Sequence, residues 1–319
     1  MTIFRTFIAA LLLTPALAAA QVWPSKPVRI IVPFAPGGPS DLLPRLLAPK
    51  LGEALGQPVV VENRPGASGN IGMEAVAKAA ADGYTFVIGP NGNVVVNPSL
   101  YAKLPYDVNR DFVPITQIAS VHNVLVVHPD VRANTVADLI ALAKMKPGAL
   151  SFASPGNGSQ AHMAGEYLKM LAGIYAVHIP YNGVGPALND VLGGRIEFMF
   201  AQTSAALPHV QAGKLRALAF ASSARLALNP ALPTVAETLP GFEAVSWYGL
   251  LAPAGTPAAI VNRMHGEIVK VLQAPDLTGK LAAIGAVPVA NTPDQFATLI
   301  RKEQAQYAAI IKRAGIRVE

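Results

Sequence analysis

The sequence predicts an α/β fold made of two lobes, each a doubly wound, mostly parallel sheet, with hinge strands between the lobes. Short runs rich in valine and isoleucine alternate with amphipathic stretches of helical length along the chain. This alternation stops and restarts near the middle of the sequence, which indicates two sheets rather than one. A chain of 319 residues is also long enough to build two hydrophobic cores.

The first lobe is predicted to open with a βαβαβ pattern. Its strands are apolar without polar alternation, as expected for strands that are buried on both faces of a sheet. Thr135 and Asp138 are spaced as a capping box, so they mark the start of a later helix. The predicted strands are VRIIVPF, PVVVENR, YTFVIG, FVPITQIA and NVLVVHP, and the predicted helices are DLLPRLLAPKLGEAL, GNIGMEAVAKAAADG and TVADLIALAKMKPG.

A second set of strands and helices follows, and the chain then crosses back to the first lobe. Helix-start signals at Thr256-Pro257 and from Thr292 to Gln295 predict two final helices. The second set comprises strands ALSFASP, YAVHIPY, RIEFMFA and LRALAFA and helices QAHMAGEYLKMLAG, GPALNDVLGG and SAALPHVQAG, before the crossing strand AVSWYGLLAP.

The two crossings between lobes are predicted near residues 117–124 and 244–250. We therefore assign residues 21–120 plus 249–319 to lobe 1 and residues 121–248 to lobe 2. Two α/β lobes joined by extended crossings leave a cleft between them. A ligand is expected in that cleft, at the carboxyl ends of the strands.

Residues 1–20 are predicted to be a cleaved signal peptide. Arg5 precedes a short apolar run from Phe7 to Leu13, and small residues lead to Ala20, near which we expect cleavage. That run is too short to span a bilayer, so we expect the mature chain to be exported and soluble. The sequence has no cysteine, which excludes disulfides, thiolate metal sites and cysteine nucleophiles.

The balance of charge is basic, with 25 Lys and Arg against 19 Asp and Glu. These charges are scattered and show no basic run with interleaved aromatic residues, so we expect no nucleic-acid partner. The six histidines have no metal-ligand spacing, and neither a metal nor a cofactor is expected. Ser159 and His162 lie three residues apart on one predicted helix without an orienting acid, and no G-x-S-x-G is present, so we do not expect an enzyme.

Four glycine-rich turns separate a predicted strand from a predicted helix, at residues 35–41, 64–70, 154–160 and 181–186. The first N–H groups of a helix are unpaired donors at the positive end of its dipole, so each turn is a candidate anion-binding site. Such a turn can also be only a turn, with its serine or aspartate capping its own helix. Both interpretations stay open for each turn taken alone, and four turns split between two lobes favour binding.

A set of short motifs recurs along essentially the whole mature chain. In order, they are Val32-Pro33-Phe34, Gly37-Gly38, Asp41, Val61 to Ala67, Gly69, Ile71-Gly72, Asp82 to Thr85, Gly156, Gly158-Ser159, His162, Pro180 to Gly183, Leu192 to Gly194 and Pro253 to Pro257. Together these motifs resemble the Bug family, the extracytoplasmic solute receptors of tripartite tricarboxylate transporters. The resemblance implies a type II-like periplasmic binding protein that closes over a small di-, tri- or aromatic carboxylate and delivers it to membrane permease subunits, and we expect it to be a monomer.

The resemblance also implies which residues hold the ligand. Asp41 is expected to fix its loop or a bridging water rather than to meet the anion. Many relatives have an acidic residue where Ala201 stands, so a ligand ammonium group is disfavoured if that position faces the pocket. The residues implied on one side are Phe34, Gly37, Gly38, Ser40 and Asp41, and those across the cleft are Ser154, Gly158, Ser159, His162, Tyr181 and Gly183. The stretches 91–93, 201–204 and 247–248, with Asn91 and Gln202 among them, are expected to set specificity.

Two other functions stay open at this point. The protein could be a periplasmic ligand sensor that docks on a membrane signalling protein, which a neighbouring sensor-kinase gene would favour. An exported hydrolase is the more distant alternative.

Overall fold

The computed structural model describes residues 23–316, so the predicted signal peptide lies outside the described residues. The strands are β1 Val28–Val32, β2 Val59–Asn63, β3 Thr85–Pro90, β4 Phe112–Val121, β5 Asn123–Val127, β6 Ser151–Ser154, β7 Val177–Pro180, β8 Phe198–Gln202, β9 Arg216–Phe220, β10 Ser246–Pro253 and β11 Ala286–Pro288. The α-helices are α1 Pro39–Leu55, α2 Asn70–Ala77, α3 Asn97–Leu100, α4 Val108–Asp111, α5 Val136–Met145, α6 Gln160–Ala172, α7 Val184–Leu192, α8 Thr203–Gln211, α9 Ala258–Leu272, α10 Pro275–Ala283 and α11 Pro293–Ala314.

The strands form two sheets, as the restart of the pattern predicted. One sheet has the order β11-β4-β10-β3-β1-β2 and the other the order β7-β6-β8-β5-β9. In the first sheet β1 to β4 point the same way, whereas β10 and β11 run against them. In the second sheet β6 to β9 point the same way and β5 runs against them.

Both sheets are therefore mixed, which refines the prediction of mostly parallel sheets. The strands that run against the rest include β5 and β10, which follow the two crossings between the sheets. The chain leaves one sheet and enters the other at the end where the two sheets meet. The first strand after each crossing therefore runs antiparallel to the strands of the βα units in the sheet that it enters. The hydropathy of the sequence does not reveal this reversal of strand direction, since an antiparallel strand in the middle of a sheet is as apolar as its neighbours.

Each sheet is covered by helices on both faces. In β1, Ile30 packs in a core with α1 and α9, whereas its neighbour Ile31 packs in a separate core with α2 and α11. In β5, Leu125 and Val126 likewise belong to the two cores on opposite faces of the second sheet. Successive side chains of a strand point to opposite faces, so continuous apolar strands need this arrangement.

The capping boxes predicted at Thr135 and Thr292 are both present at the starts of α5 and α11. The sequence interpretation missed α3, α4, α10, β11 and one turn of π-helix over Gly92–Val96. Apart from α10, which has nine residues, these elements have three to five residues and too few apolar positions to show a period.

The side chain of Asn123 links the two crossings between the sheets. Its Nδ2 donates to the carbonyl oxygen of Ala244 at 2.9 Å and to Ser246 Oγ at 3.0 Å. The division into two mobile lobes stays a prediction. Within residues 23–316, no helix has both the length and the apolar character that crossing a membrane requires.

Candidate ligand-binding cleft

A narrow cleft lies between the two sheets, with a cavity volume of about 60 Å³. By the same measure a single water needs roughly 10–15 Å³, so the cleft admits a small molecule only. One wall is the turn from β1 to α1 and the end of β3, and the other is the starts of α6 and α7. Gln202, Ser246 and Tyr248 line it where β8 ends and β10 begins.

Three helices begin at this cleft. Their N-terminal caps are Gly38 for α1, Ser159 for α6 and Gly183 for α7. Gly38 and Gly183 make no side-chain cap. In α1, Pro39 has no N–H and the Asp41 N–H donates to the Gly38 carbonyl oxygen at 2.9 Å, so the Ser40 N–H is the candidate anion donor of this helix. Unpaired N–H groups at the positive end of the helix dipole attract an anion.

No Asp, Glu, Lys, Arg or His lines this cleft among residues 23–316. A bound anion would therefore be held by backbone N–H groups, hydroxyls and amides alone. A ligand ammonium group would find no carboxylate partner here. The arrangement thus favours an uncharged or anionic small molecule over a zwitterionic one.

The two halves approach each other closely around the cleft. A Cβ atom built on Gly92 would lie 2.5 Å from the carbonyl oxygen of Gly158 in the other half. A Cβ atom on Gly38 would lie 3.7 Å from the Val184 side chain. Only glycine at position 92 permits this approach, because real Cβ atoms do not come that close to a backbone oxygen.

A polar node joins the two halves at the base of the cleft. Asn91 Nδ2 donates to Gln160 Oε1 at 3.0 Å, and the Tyr307 hydroxyl donates to the same oxygen at 2.9 Å. Asn91 and Gln160 are buried, with exposed fractions of 2% and 6%. The node therefore ties the end of β3 and helix α11 to the start of α6.

Asp41 does not line the cleft; its side chain binds the turn between β1 and α1 on the side away from the cleft. Its carboxylate accepts hydrogen bonds from the Gly37 N–H at 3.1 Å, from Arg45 Nε at 2.8 Å and from Asn63 Nδ2 at 2.9 Å. The side chain is 3% exposed. These contacts match the expectation that Asp41 fixes its loop.

The structure brings seven of the thirteen predicted site residues to the cleft and places six elsewhere. Whether any of them binds a ligand stays a prediction. Those on the cleft are Phe34, Gly38, Ser40, Asn91, Ser159, Gly183 and Gln202, and those away from it are Gly37, Asp41, Ser154, Gly158, His162 and Tyr181.

His162 lies behind the start of α6, where its ring stacks on that of His178 with centroids 4.0 Å apart. Its Nδ1 accepts from the Gly158 N–H at 3.1 Å, and His178 Nε2 lies 2.6 Å from Ser154 Oγ. Burial lowers the pKa of His162 well below its usual value and lowers the pKa of His178 to about 4. Both imidazoles are thus neutral near pH 7 and support the turn between β6 and α6.

Tyr181 points along α7 instead of into the cleft. Its hydroxyl donates to Asp190 Oδ2 at 2.6 Å. Burial and this bond to a carboxylate raise the pKa of Tyr181 to about 12. Ala201 is fully buried in the core between the second sheet and α7, so the condition that it faces the pocket is not met.

Sequence reasoning missed several residues of the cleft. Gln160 ends a predicted turn and Ser246 lies on a crossing strand, but amides and hydroxyls in such places are common on any surface. No local signal separates Ser246, because it reaches the cleft only through the packing of β10 between β3 and β4. Asn93 and Tyr248 line the cleft and belong to the stretches 91–93 and 247–248 that were expected to set specificity, whereas cleft residues outside the predicted residues and stretches include Ala35, Gln160, Val184 and Ser246.

Two α/β halves that face a shared cleft define a periplasmic binding protein, a class that closes around small solutes. The model of the tripartite tricarboxylate transporter family receptor matches residues 43–316. The chain is 40% identical over 324 residues to protein BugT of Bordetella pertussis, covering 100% of this chain and 99% of BugT. It belongs to this receptor family, as the resemblance predicted.

Solved structures of relatives agree with this assignment. The structure of R. palustris Rpa4515 with adipate is 38% identical and has a TM-score of 0.89, covering 92% of this chain and 99% of that protein. The structure of MatC from Rhodopseudomonas palustris with bound malate is 31% identical and has a TM-score of 0.86, covering 91% of this chain and 100% of MatC. The two-lobed α/β fold of the family is thereby confirmed for this chain.

Proposed function

We propose that this protein is a periplasmic receptor that captures a small carboxylate in the cleft and delivers it to the permease subunits of a tripartite tricarboxylate-type transporter. The lobes formed by residues 21–120 plus 249–319 and by residues 121–248 close on the ligand. The ligand favours the closed state because it contacts both lobes at once. The protein acts as a binding protein without chemistry on its ligand.

One observation carries this proposal. Helix starts from both halves, at Gly38, Ser159 and Gly183, meet at a cleft that no charged side chain of residues 23–316 lines. Such a site suits a carboxylate, which accepts hydrogen bonds from neutral donors and needs no counter-charge there. The relatives that carry adipate and malate add support, since both ligands are small dicarboxylates.

The proposal is tested by a thermal-shift screen of residues 21–319 against aliphatic and aromatic mono-, di- and tricarboxylates. Each acid is paired with its uncharged amide as a control. A ligand that binds only the folded state increases the free energy of unfolding by about 2.7 kcal/mol at a concentration one hundred times its Kd. The melting temperature rises as a result. We expect a shift with at least one carboxylate and none with its amide.

A ligand that co-purified would mask this shift, so the protein is first unfolded, dialysed and refolded, and the released fraction is examined by mass spectrometry. Equal shifts with acid and amide would contradict carboxylate capture. No shift with any acid after refolding, together with no released acid, would contradict it as well.

A further inference from the structure

A second cavity lies beside helix α6 and shares no lining residue with the cleft. Its volume is about 760 Å³. One side is formed by α6 and β7 of the second sheet, and the other by the end of α11, which packs on the first sheet. We call it the α6 groove; its charged and imidazole side chains are those of His162, Glu166, Lys169, His178 and Arg313. The groove is therefore a separate candidate site to which both halves contribute.

His162 brings an unpaired N–H to the α6 groove. Its Nδ1 accepts from the Gly158 N–H at 3.1 Å, and burial lowers its pKa and keeps the ring neutral, so the ring proton is on Nε2. Within residues 23–316 this N–H has no hydrogen-bond partner, since Glu166 Oε1 lies 3.9 Å from Nε2. The side chain is only 5% exposed. A donor this buried normally has a partner, so the groove lacks an acceptor.

The charges of the α6 groove favour an anion as the source of that acceptor. Lys169 Nζ lies 2.7 Å from Glu166 Oε1 and neutralises this carboxylate. Arg313, in the last turn of α11, forms no ion pair within residues 23–316 and supplies a planar set of N–H donors. Two cations thus face one carboxylate, while burial keeps His178 neutral by lowering its pKa to about 4.

Glu166 restricts which anion can bind. A sulfate or a carboxylate offers only acceptors at neutral pH and would be repelled by Glu166. Inorganic phosphate keeps at least one P–OH group at neutral pH, so it can donate to Glu166 and accept from His162 and Arg313 together. A phosphate monoester loses its last proton near pH 6 and then lacks this donor.

We propose that the α6 groove is a second binding site and that its ligand is inorganic hydrogen phosphate. The His162 Nε2–H and Arg313 donate to the phosphate oxygens, and the phosphate hydroxyl donates to Glu166. Because these groups come from both halves, bound phosphate stabilises the arrangement in which α6 and the end of α11 lie close together. The site is distinct from the carboxylate cleft and goes beyond the proposed function.

The test is calorimetric titration of residues 21–319 with phosphate, sulfate and glycerol 3-phosphate at pH 7.5, in phosphate-free buffer of constant ionic strength. We expect phosphate to bind at least about tenfold tighter than the other two, which bring no proton for Glu166. Arg313→Gln should weaken phosphate binding about tenfold. Lys312→Gln removes a charge from the next position of α11, outside the groove, and is the matched control that should keep the wild-type affinity.

Glu166→Gln tests the discrimination itself. An amide can donate to either anion, so the affinities for phosphate and sulfate should fall within about twofold of each other. In wild type, the side-chain ¹⁵N resonance of His162 Nε2 should shift on addition of phosphate and stay in place on addition of sulfate.

The absence of phosphate binding, equal binding of phosphate and sulfate to wild type, or undiminished affinity in Arg313→Gln would overturn the inference. A phosphate preference that persists in Glu166→Gln, or a His162 resonance that phosphate leaves in place, would overturn it too. No carboxylate is present in these titrations, so their failure would leave the proposed function untouched.

Discussion

At the scale of the residue, the first turn shows how one buried carboxylate can shape a site that it does not enter. The Asp41 carboxylate accepts hydrogen bonds from three donors, on Gly37, Arg45 and Asn63. The backbone of the turn is held so that the start of α1 faces the cleft. The charged side chain of Asp41 thus fixes the conformation of the turn next to the cleft, whereas the side chains of residues 23–316 that line the cleft are uncharged.

We expect Asp41→Ala to weaken ligand binding about tenfold or more and to lower the free energy of unfolding by roughly 1–3 kcal/mol, because three donors lose their acceptor. Binding is measured by calorimetry and stability by denaturant unfolding. Asp276→Ala, which removes an exposed partner of Lys50 on α10, is the control and should leave affinity unchanged. Unchanged affinity in Asp41→Ala would reduce Asp41 to a structural residue of its helix.

The residues around the cleft also show the limit of sequence reasoning. Glycine-rich turns were visible because glycine, proline and serine cluster between apolar runs. Tyr181 and His162 have side chains of the right chemistry in the right segments, yet they point to Asp190 and His178. The direction of a side chain from a turn depends on backbone angles that composition does not specify.

At the scale of the element, the turn between β6 and α6 is supported by the stacked pair of His162 and His178. His178 also stacks on Phe152, with ring centroids 4.9 Å apart. The nearby charges on α6 are Glu166 and Lys169, which pair with each other at 2.7 Å. Burial is the largest cause that lowers the pKa of both imidazoles; His178 and then Lys169 lower that of His162 further, and Lys169 lowers that of His178.

These lowered pKa values predict that the free energy of unfolding decreases as the pH is lowered. The unfolded imidazoles take up protons below about pH 6.5, whereas folded His178 stays neutral down to about pH 4. The unfolded state therefore binds more protons over this range, and stability is lost as pH falls from about 6.5 towards 4. We expect the melting temperature to drop by roughly 5 °C or more over that range.

His178→Phe keeps a ring on Phe152 but cannot take up a proton, so its melting temperature should fall less steeply with pH. His209→Gln on α8 is the control and should retain the wild-type slope. The measurement is a series of thermal melts between pH 7.5 and 4.5. An unchanged slope in His178→Phe would mean that acid destabilisation originates elsewhere.

At the scale of the whole molecule, the two halves approach each other beside the cleft at a glycine and at a polar node. Gly92, the first residue of the π-helical turn after β3, faces the Gly158 carbonyl, and Asn91 beside it bonds to Gln160 of the opposite half. Both contacts lie next to the cleft. The proposed closure and the proposed ligand contacts therefore involve neighbouring residues of the same segments.

We expect Gly92→Ala to prevent full closure without unfolding the protein, because its Cβ would lie 2.5 Å from the Gly158 carbonyl oxygen of the other half. Affinity should fall at least about tenfold, since ligand contacts with one lobe are lost. Small-angle scattering with and without ligand should show no compaction in the variant.

Gly266→Ala is the matched control for this experiment. Its Cβ would meet nothing within 4 Å on helix α9. It should close normally and gain up to about 1 kcal/mol of stability, because alanine favours a helix over glycine. Compaction of Gly92→Ala to the same extent as wild type would show that the halves do not close at this contact.

The sequence by itself determined the α/β class, the number of sheets, the order of the main helices and strands, the capping boxes at Thr135 and Thr292 and the receptor family, whereas the predicted cap at Thr256 was wrong, because α9 begins at Ala258 after Pro257. These follow from hydrophobic period, turn residues and motif order, which are local properties of the chain. Tertiary structure decided the reversed direction of β5 and β10, the neutral lining of the cleft and the pairing of Gln202 with Tyr248. The physical reason is that these features depend on which distant segments pack side by side, and residues 202 and 248 become neighbours only when β10 is inserted into its sheet.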